Sequence, residues 1–161
     1  FFLTALYEKL AQHPDLELTT FSDCIQSTAR PTELPSLVAG SWVYGTLSTW
    51  IGDQAKNRGW DMLIEAKQCF DEVVAKGELD AGQLARAEQQ LAVCEGSDWF
   101  WWFGDYNPAD SVSSFESLYR LNLTILYQYL GVLPPSYLTQ VFTQGSGTPA
   151  TGGTMRPGQE E

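Results

Sequence analysis

The stretch that decides the fold class runs from residue 53 to residue 77 and reads DQAKNRGWDMLIEAKQCFDEVVAKG. Its apolar residues recur at helical spacing, which predicts one long amphipathic helix from Asp53 to Lys76. Gly77 follows directly, as is typical just past the end of a helix. We expect this helix to bury a stripe of side chains. That stripe comprises Trp60, Leu63, Ile64, Phe70, Val74 and Ala75.

The segment before this helix contains shorter elements. Residues 2–12 predict a helix that ends before Pro14, because proline disfavours helical backbone in the residue ahead of it. The alternation of residues 16–20 permits one short strand, and residues 22–28 predict a helical turn. Residues 30–45 hold several prolines and glycines and predict a loop.

The segment after this helix predicts two further long helices. Asp80 is a suitable N-cap for a helix that runs towards Trp99. Ser113 and Glu116 have the spacing of a capping box for the next helix, which we expect to end at Gly131. Three long helices joined by short turns predict a mainly α fold, an antiparallel helical bundle with at most one short strand.

Composition and charge exclude several classes of protein. The 161 residues suit one domain, and 20 acidic against 9 basic residues give a net charge of −11. Such a surface repels phosphate backbones and anionic lipids, so we expect neither a nucleic-acid nor a membrane partner. The few, widely spaced cysteines (Cys24, Cys69 and Cys94) predict reduced thiols and a cytoplasmic location. His13 stands alone beside a proline, which predicts a surface or capping role.

Aromatic residues are concentrated in residues 95–105, which read EGSDWFWWFGD. Five consecutive aromatic residues cannot share one face of a helix, since the helix turns once in 3.6 residues. Some of these rings therefore need a second packing surface or line a cleft. If the stretch is helical, Glu95, Asp98 and Trp102 share a face.

A second aromatic group lies in residues 40–53, which read GSWVYGTLSTWIGD. Large aromatic side chains on glycine-punctuated loops are often functional. Rings beside carboxylates and hydroxyls suit a sugar, whose C–H face stacks on Trp or Tyr and whose rim needs hydrogen-bond partners. Packing against the core or another domain, and a protein-binding surface, are the alternatives. Trp60 differs, because its position on the helix stripe assigns it to the core.

These patterns support a binding wall better than a catalytic centre. Glycoside hydrolysis needs two carboxylates that face each other across the scissile bond. Glu95, Asp98, Asp105 and Asp53 lie near aromatic residues, but their spacing marks no pair as acid and nucleophile.

Residues 95–104 closely resemble the last of the five short conserved regions of glycoside hydrolase family 57. Residues 40–53, 56–58 and 60–61 also resemble that family, in its α-amylase-like branch. Residues 2–7 and 13–18 resemble the part just after its fourth conserved region. The likeness covers roughly residues 1–140, and the Ser-Asp-Trp-Phe-Trp-Trp run is its most specific part.

The resemblance implies a retaining enzyme with a distorted (β/α)7 barrel followed by a helical domain, active mostly on α-glucans. The family's catalytic Glu and Asp would lie before Phe1, so no catalytic residue is transferred to this chain. By similarity, Asp98 would bond sugar hydroxyls. The candidate stacking rings are Trp42, Trp50, Trp99, Trp101 and Trp102. No metal or organic cofactor is implied.

The resemblance also sets the expected organisation. Residues 1–20 would be the end of the catalytic barrel, residues 21–143 the helical domain that lines the cleft, and residues 144–161 a flexible tail rich in Gly, Ser, Thr and Pro. The abrupt start at Phe1 suggests a fragment, inactive alone, whose partners are an α-glucan or maltooligosaccharide and the missing barrel. The alternatives are a helical protein-interaction module and a degenerate, non-catalytic family member.

Overall fold

The computed structural model describes residues 1–27 and 32–147. The chain divides into two compact units, Phe1–Val38 and Ala39–Glu161. The predicted boundaries after residues 20 and 143 stay predictions, and most of the predicted tail, residues 148–161, lies outside the described part of the chain. The mainly helical fold is confirmed, since residues 1–27 and 32–147 form helices, turns and loops with no strand.

The first unit contains two helices, α1 (Phe2–Gln12) and α2 (Phe21–Gln26). Helix α1 has the predicted bounds, and His13 is its C-cap and accepts a hydrogen bond from the Asp15 backbone N–H at 3.2 Å. Helix α2 is capped by Thr20, whose hydroxyl accepts from the Asp23 backbone N–H. Residues 16–20 between them form no strand.

The second unit begins its regular structure with α3 (Gln54–Lys76). The Asp53 carboxylate caps this helix by accepting from the backbone N–H groups of Ala55 at 2.8 Å and Lys56 at 3.2 Å. Gly77 adopts φ +69°, the left-handed conformation that ends many helices. Both predicted ends of α3 are confirmed.

The predicted buried stripe of α3 is partly wrong. Ile64 is 51% exposed, and Val74 and Ala75 also face solvent. The buried face is centred instead on Met62, Ala66, Phe70 and Val73. At about 100° per residue, Ile64 and Ala75 lie roughly opposite the centre of this face. Their apolar character alone was therefore not enough to predict that they are buried.

Helix α4 (Ala81–Cys94) begins at the predicted cap and ends earlier than predicted. Asp80 forms a capping box with Gln83, whose two hydrogen bonds measure 2.7 and 2.9 Å. Residues 95–97 then interrupt the helix, and α5 (Asp98–Trp102) follows as a separate short helix. The Trp99 indole N–H donates to the Val93 carbonyl at 2.8 Å, and this carbonyl also accepts from the Gly96 backbone N–H at 3.3 Å.

Helix α6 (Ala109–Tyr129) starts before the predicted capping box, so that prediction is wrong. Ser113 lies inside the helix, and the buried Glu116 carboxylate binds Arg120 at 2.6 Å and accepts from the Phe142 backbone N–H at 3.2 Å. The predicted end is confirmed by Gly131, at φ +69°.

Helix α6 is the centre of the second unit. It contacts α3, α4, α5 and the short 3-10 helix Ser136–Thr139. Tyr119, Leu123 and Leu126 on α6 are fully buried. Among the helices of residues 1–27 and 32–147, none combines the length and apolarity that a membrane crossing requires.

Candidate functional site

Three tryptophans from two separate segments meet at the surface of the second unit. Trp42 stacks on Trp101 with ring centroids 5.8 Å apart and planes 12° from parallel. Trp50 meets Trp42 edge to face at 6.4 Å and tilts against Trp101 at 5.7 Å. We call Trp42, Trp50 and Trp101 the indole cluster. All three are among the residues that the sequence predicted to bind substrate.

The cluster is open to solvent. Trp42 is 67% exposed, whereas Trp50 and Trp101 are half-buried. An exposed ring held against two neighbours is ordered by ring packing and still offers apolar area to a ligand. The cluster is therefore a fixed aromatic surface.

A tight turn positions Trp42. The Ser41 hydroxyl accepts from the Val43 backbone N–H at 3.1 Å and is hydrogen-bonded to the Thr46 carbonyl. Gly45 has φ +69°, which favours glycine, and a side chain on Gly40 would collide with the Gly45 carbonyl. The glycines on either side of Trp42 are thus required by the turn.

Helix α5 positions Trp101. Phe100 is fully buried and stacks on Trp60 at 3.9 Å, 8° from parallel, with Phe103 and Tyr119 edge-on at 5.8 and 5.9 Å. The Trp60 indole N–H also donates to the Trp50 carbonyl at 2.9 Å. Trp60 is half-buried and packs against the core, so it links the core to the segment that carries Trp50.

The remaining predicted rings lie elsewhere on α5. Trp102 stacks on Phe115 at 5.1 Å. Trp99 packs against Phe115 at 6.0 Å and Tyr119 at 5.7 Å. The five consecutive aromatic side chains therefore point in different directions, as the helical period requires, and among them only Trp101 joins Trp42 and Trp50.

The predicted acid, Asp98, is exposed in the first turn of α5. No other residue of the described ranges donates a hydrogen bond to its carboxylate. Glu95 is the C-cap of α4, so the expectation that Glu95, Asp98 and Trp102 share one helix face is wrong. The break between α4 and α5 separates them.

A buried polar group beside the cluster was not predicted from the sequence. Lys56 on α3 is fully buried, and its ammonium donates to the Thr49 carbonyl and the Tyr106 hydroxyl. Burial lowers the pKa of Lys56 to about 8, against the raising effect of Asp53. The signal was present, because Lys56 precedes Leu63 by seven residues, on the buried side of α3.

The same surroundings act on Tyr106. Burial, together with the carboxylates of Asp53 and Asp105, raises the pKa of the Tyr106 phenol to about 12. Tyr106 therefore remains a neutral hydroxyl at physiological pH, able to accept from Lys56.

Two polar clefts flank the loop that follows Trp50. One, of about 280 Å³, is lined by groups that include Ser48, Asp53 and Tyr106. The other, of about 680 Å³, is lined by groups that include Asn57 and Arg58. The two clefts share Gly52. Hydroxyl, carboxylate, amide and guanidinium groups thus lie close in sequence to the aromatic surface.

The described ranges contain neither a metal-binding group of side chains nor a disulfide. No group of three or more His, Cys, Asp or Glu side chains is arranged to hold a metal ion there. Cys24 is exposed, Cys69 is partly buried and Cys94 is buried, and all three are free thiols.

Comparisons with family models and solved structures assign no function to this site. No protein-family model matches the chain, and no solved structure matches it significantly. A solvent-facing indole surface with hydroxyl and carboxylate groups nearby can bind a neutral ligand that has both an apolar face and a polar rim.

Proposed function

We propose that this chain forms the helical wall of a substrate cleft in an α-glucan-active enzyme similar to glycoside hydrolase family 57. The parent enzyme would cleave or transfer α-glucosidic bonds through a covalent glycosyl-enzyme intermediate. In that family the catalytic Glu and Asp belong to regions that precede the one this chain resembles, so no residue of this chain is assigned to catalysis. The chain contributes substrate binding.

The observation that carries this proposal is the exposure of Trp42 within a packed cluster of three indoles. Trp42 leaves 67% of its surface in water although Trp50 and Trp101 hold it in place. A glucose unit presents a face of C–H groups, which gains from contact with a flat ring in the same way as other apolar groups. Because the ring is already ordered, binding costs little side-chain entropy.

Polar groups around the cluster supply partners for the sugar rim. Asp98 presents an exposed carboxylate on α5, three residues before Trp101, and the 280 Å³ cleft offers Ser48 and Asp53. Carboxylates accept hydrogen bonds from sugar hydroxyls. The net charge of −11 favours a neutral carbohydrate over an anionic one.

The test is titration of the 161-residue chain with maltoheptaose, followed by isothermal calorimetry and by tryptophan fluorescence. We expect weak binding, with a Kd on the order of 1 mM, because only one wall of the cleft is present. Trp42→Ala should weaken binding by about tenfold, since one ring contact contributes about 1.4 kcal/mol. Asp98→Ala should weaken it by a few-fold.

Leu133→Ala is the matched control, because Leu133 is 89% exposed on a different segment. It should leave the affinity unchanged. A β-linked glucan of similar length should bind more weakly than maltoheptaose. Wild-type protein that shows no heat and no fluorescence change, or Trp42→Ala with unaltered affinity, would refute the proposal.

The first unit supports a second role, as a docking surface for the catalytic barrel that the resemblance implies. Helices α1 and α2 bury no side chain, and several large apolar residues are more than three-quarters exposed. These are Phe1, Phe2, Phe21, Leu37 and Val38. Exposed apolar area of this kind favours association. The rival function, a helical module that binds another protein, predicts the same association without any maltoheptaose binding.

A further inference from the structure

We infer that Lys56 is a positioning residue, which fixes the geometry of the indole cluster by joining the two segments that carry it. Thr49 directly precedes Trp50, and Tyr106 lies in the turn that follows the helix of Trp101. The Lys56 ammonium donates to a group on each of these segments. The consequence for ligand affinity rests on the proposed function, whereas the consequence for ring geometry does not.

Lys56 is linked to Trp50 through the peptide group that joins Thr49 to Trp50. The Thr49 carbonyl accepts from the ammonium, and the next carbonyl, that of Trp50, accepts from the Trp60 indole N–H at 2.9 Å. Helix α3 therefore holds two successive peptide groups of the segment. The Trp50 backbone N–H is in turn bonded to the Leu47 carbonyl at 2.9 Å.

The link from Lys56 to Trp101 runs through the turn after α5. Tyr106 accepts from the ammonium, and its ring centroid lies 4.9 Å from Lys56 Nζ, within range of a cation–π contact. The next residue, Asn107, donates its side-chain amide to the carbonyls of Trp101 and Trp102, both at 3.1 Å. The end of α5 is thereby tied to the residue that Lys56 holds.

A buried lysine at this position contributes less to stability than an apolar side chain of similar size would. Desolvation of the ammonium opposes its charged form, and the amine lies in the first turn of α3, where the helix dipole disfavours cations. The groups that face the ammonium are the Asp53 carboxylate and the Tyr106 phenol, with Asp105 near the phenol. An unbranched apolar side chain would fill the same space without that cost, but it would join neither segment.

The test reads the geometry of the rings in the full chain, by the exciton couplet of interacting indoles in far-ultraviolet circular dichroism. Trp50 is tilted by 52° against Trp101 and by 63° against Trp42, so these pairs are suitably oriented for a couplet. Lys56→Met keeps the length of the side chain and removes its donors. Gln90→Met is the matched control, because Gln90 joins α4 to Asn122 on α6 by two hydrogen bonds away from the cluster.

We expect Lys56→Met to fold with an unchanged or higher thermal midpoint and to lose the couplet, whereas Gln90→Met retains it. Maltoheptaose affinity should fall by about tenfold in Lys56→Met and stay unchanged in Gln90→Met. If Lys56→Met fails to fold, Tyr106→Phe, which removes only the accepting hydroxyl, decides the matter and should reduce the couplet.

A folded variant with an unchanged couplet overturns the inference. If the wild-type chain does not bind maltoheptaose, the proposed function is refuted instead. The couplet would still decide the role of Lys56.

Discussion

Replacing Phe100 with alanine is expected to lower the free energy of unfolding by about 4 kcal/mol. Phe100 is a core residue on α5, next in sequence to Trp101 of the indole cluster, and none of its surface is exposed. The loss should come from the cavity that the missing ring leaves, since rigid aromatic neighbours on two other helices cannot all close around it.

The magnitude follows from the contacts of the ring. Truncation of a buried Phe to Ala costs about 3–5 kcal/mol, and each aromatic pair contributes about 0.5–1.5 kcal/mol beyond area burial. Phe100 forms three such pairs, with Trp60 at 3.9 Å, Phe103 at 5.8 Å and Tyr119 at 5.9 Å. A cost in the middle or upper part of this range is therefore expected.

Urea unfolding followed by far-ultraviolet circular dichroism measures this cost. Trp42→Ala is the matched control, because Trp42 is another aromatic residue of the same region but is 67% exposed. Its cost should stay below about 1 kcal/mol. Equal costs for the two variants, or less than about 1 kcal/mol for Phe100→Ala, would show that Phe100 does not anchor α5 as described.

Three further predictions concern pH, a helix end and the thiols. Because burial lowers the pKa of Lys56 from 10.5 to about 8, the unfolded chain binds more protons between these values and the free energy of unfolding gains a rising contribution with pH. The free energy of unfolding of wild type relative to that of Lys56→Met, measured by urea unfolding, should rise by at most about 1 kcal/mol per pH unit between pH 8 and 10.5. A relative stability that does not change with pH would contradict the burial of a charged amine. Gly77→Ala should cost about 1 kcal/mol because of the φ of +69°, and a neutral result in thermal unfolding would argue against the left-handed end of α3. A chromogenic disulfide reagent should label Cys24 quickly and Cys94 only on unfolding, since burial raises the pKa of the Cys94 thiol to about 12; rapid labelling of all three cysteines would refute this packing.

Local sequence signals were sufficient for several helix ends. Asp53 and Asp80 cap helices where their side chains can reach the first backbone N–H groups, and Gly77 and Gly131 end helices in the left-handed conformation. These features depend on neighbours within a few residues, so a pattern of residue types is enough to predict them.

Predictions that depend on contacts outside a single helical pattern were wrong. Ser113 and Glu116 have capping-box spacing, but Glu116 is engaged by Arg120 and by the Phe142 backbone N–H, which lies far along the chain. The break between α4 and α5 is stabilised when the Trp99 indole reaches back to Val93. Neither contact is visible in helical periodicity.

In the candidate site, too, the local sequence pattern predicts some features and tertiary contacts decide the others. The helical period shows that the rings of residues 99–103 must face different ways, but Phe115 and Tyr119 on α6 decide which rings are packed inside. The role of Lys56 was missed because a lysine in an otherwise amphipathic helix is usually assigned to solvent. Its partners, Thr49 and Tyr106, come from segments that only the fold brings together.

The most direct test of a saccharide-binding indole cluster is a titration of the ¹⁵N-labelled chain with maltoheptaose, monitored by NMR of the indole N–H signals. The signals of Trp42, Trp50 and Trp101 should shift together and saturate at one Kd. The signal of Trp99, whose N–H is bonded to Val93, should stay in place. Unmoved signals from the three cluster residues at saturating sugar, or equal shifts of all six indoles, would contradict the account.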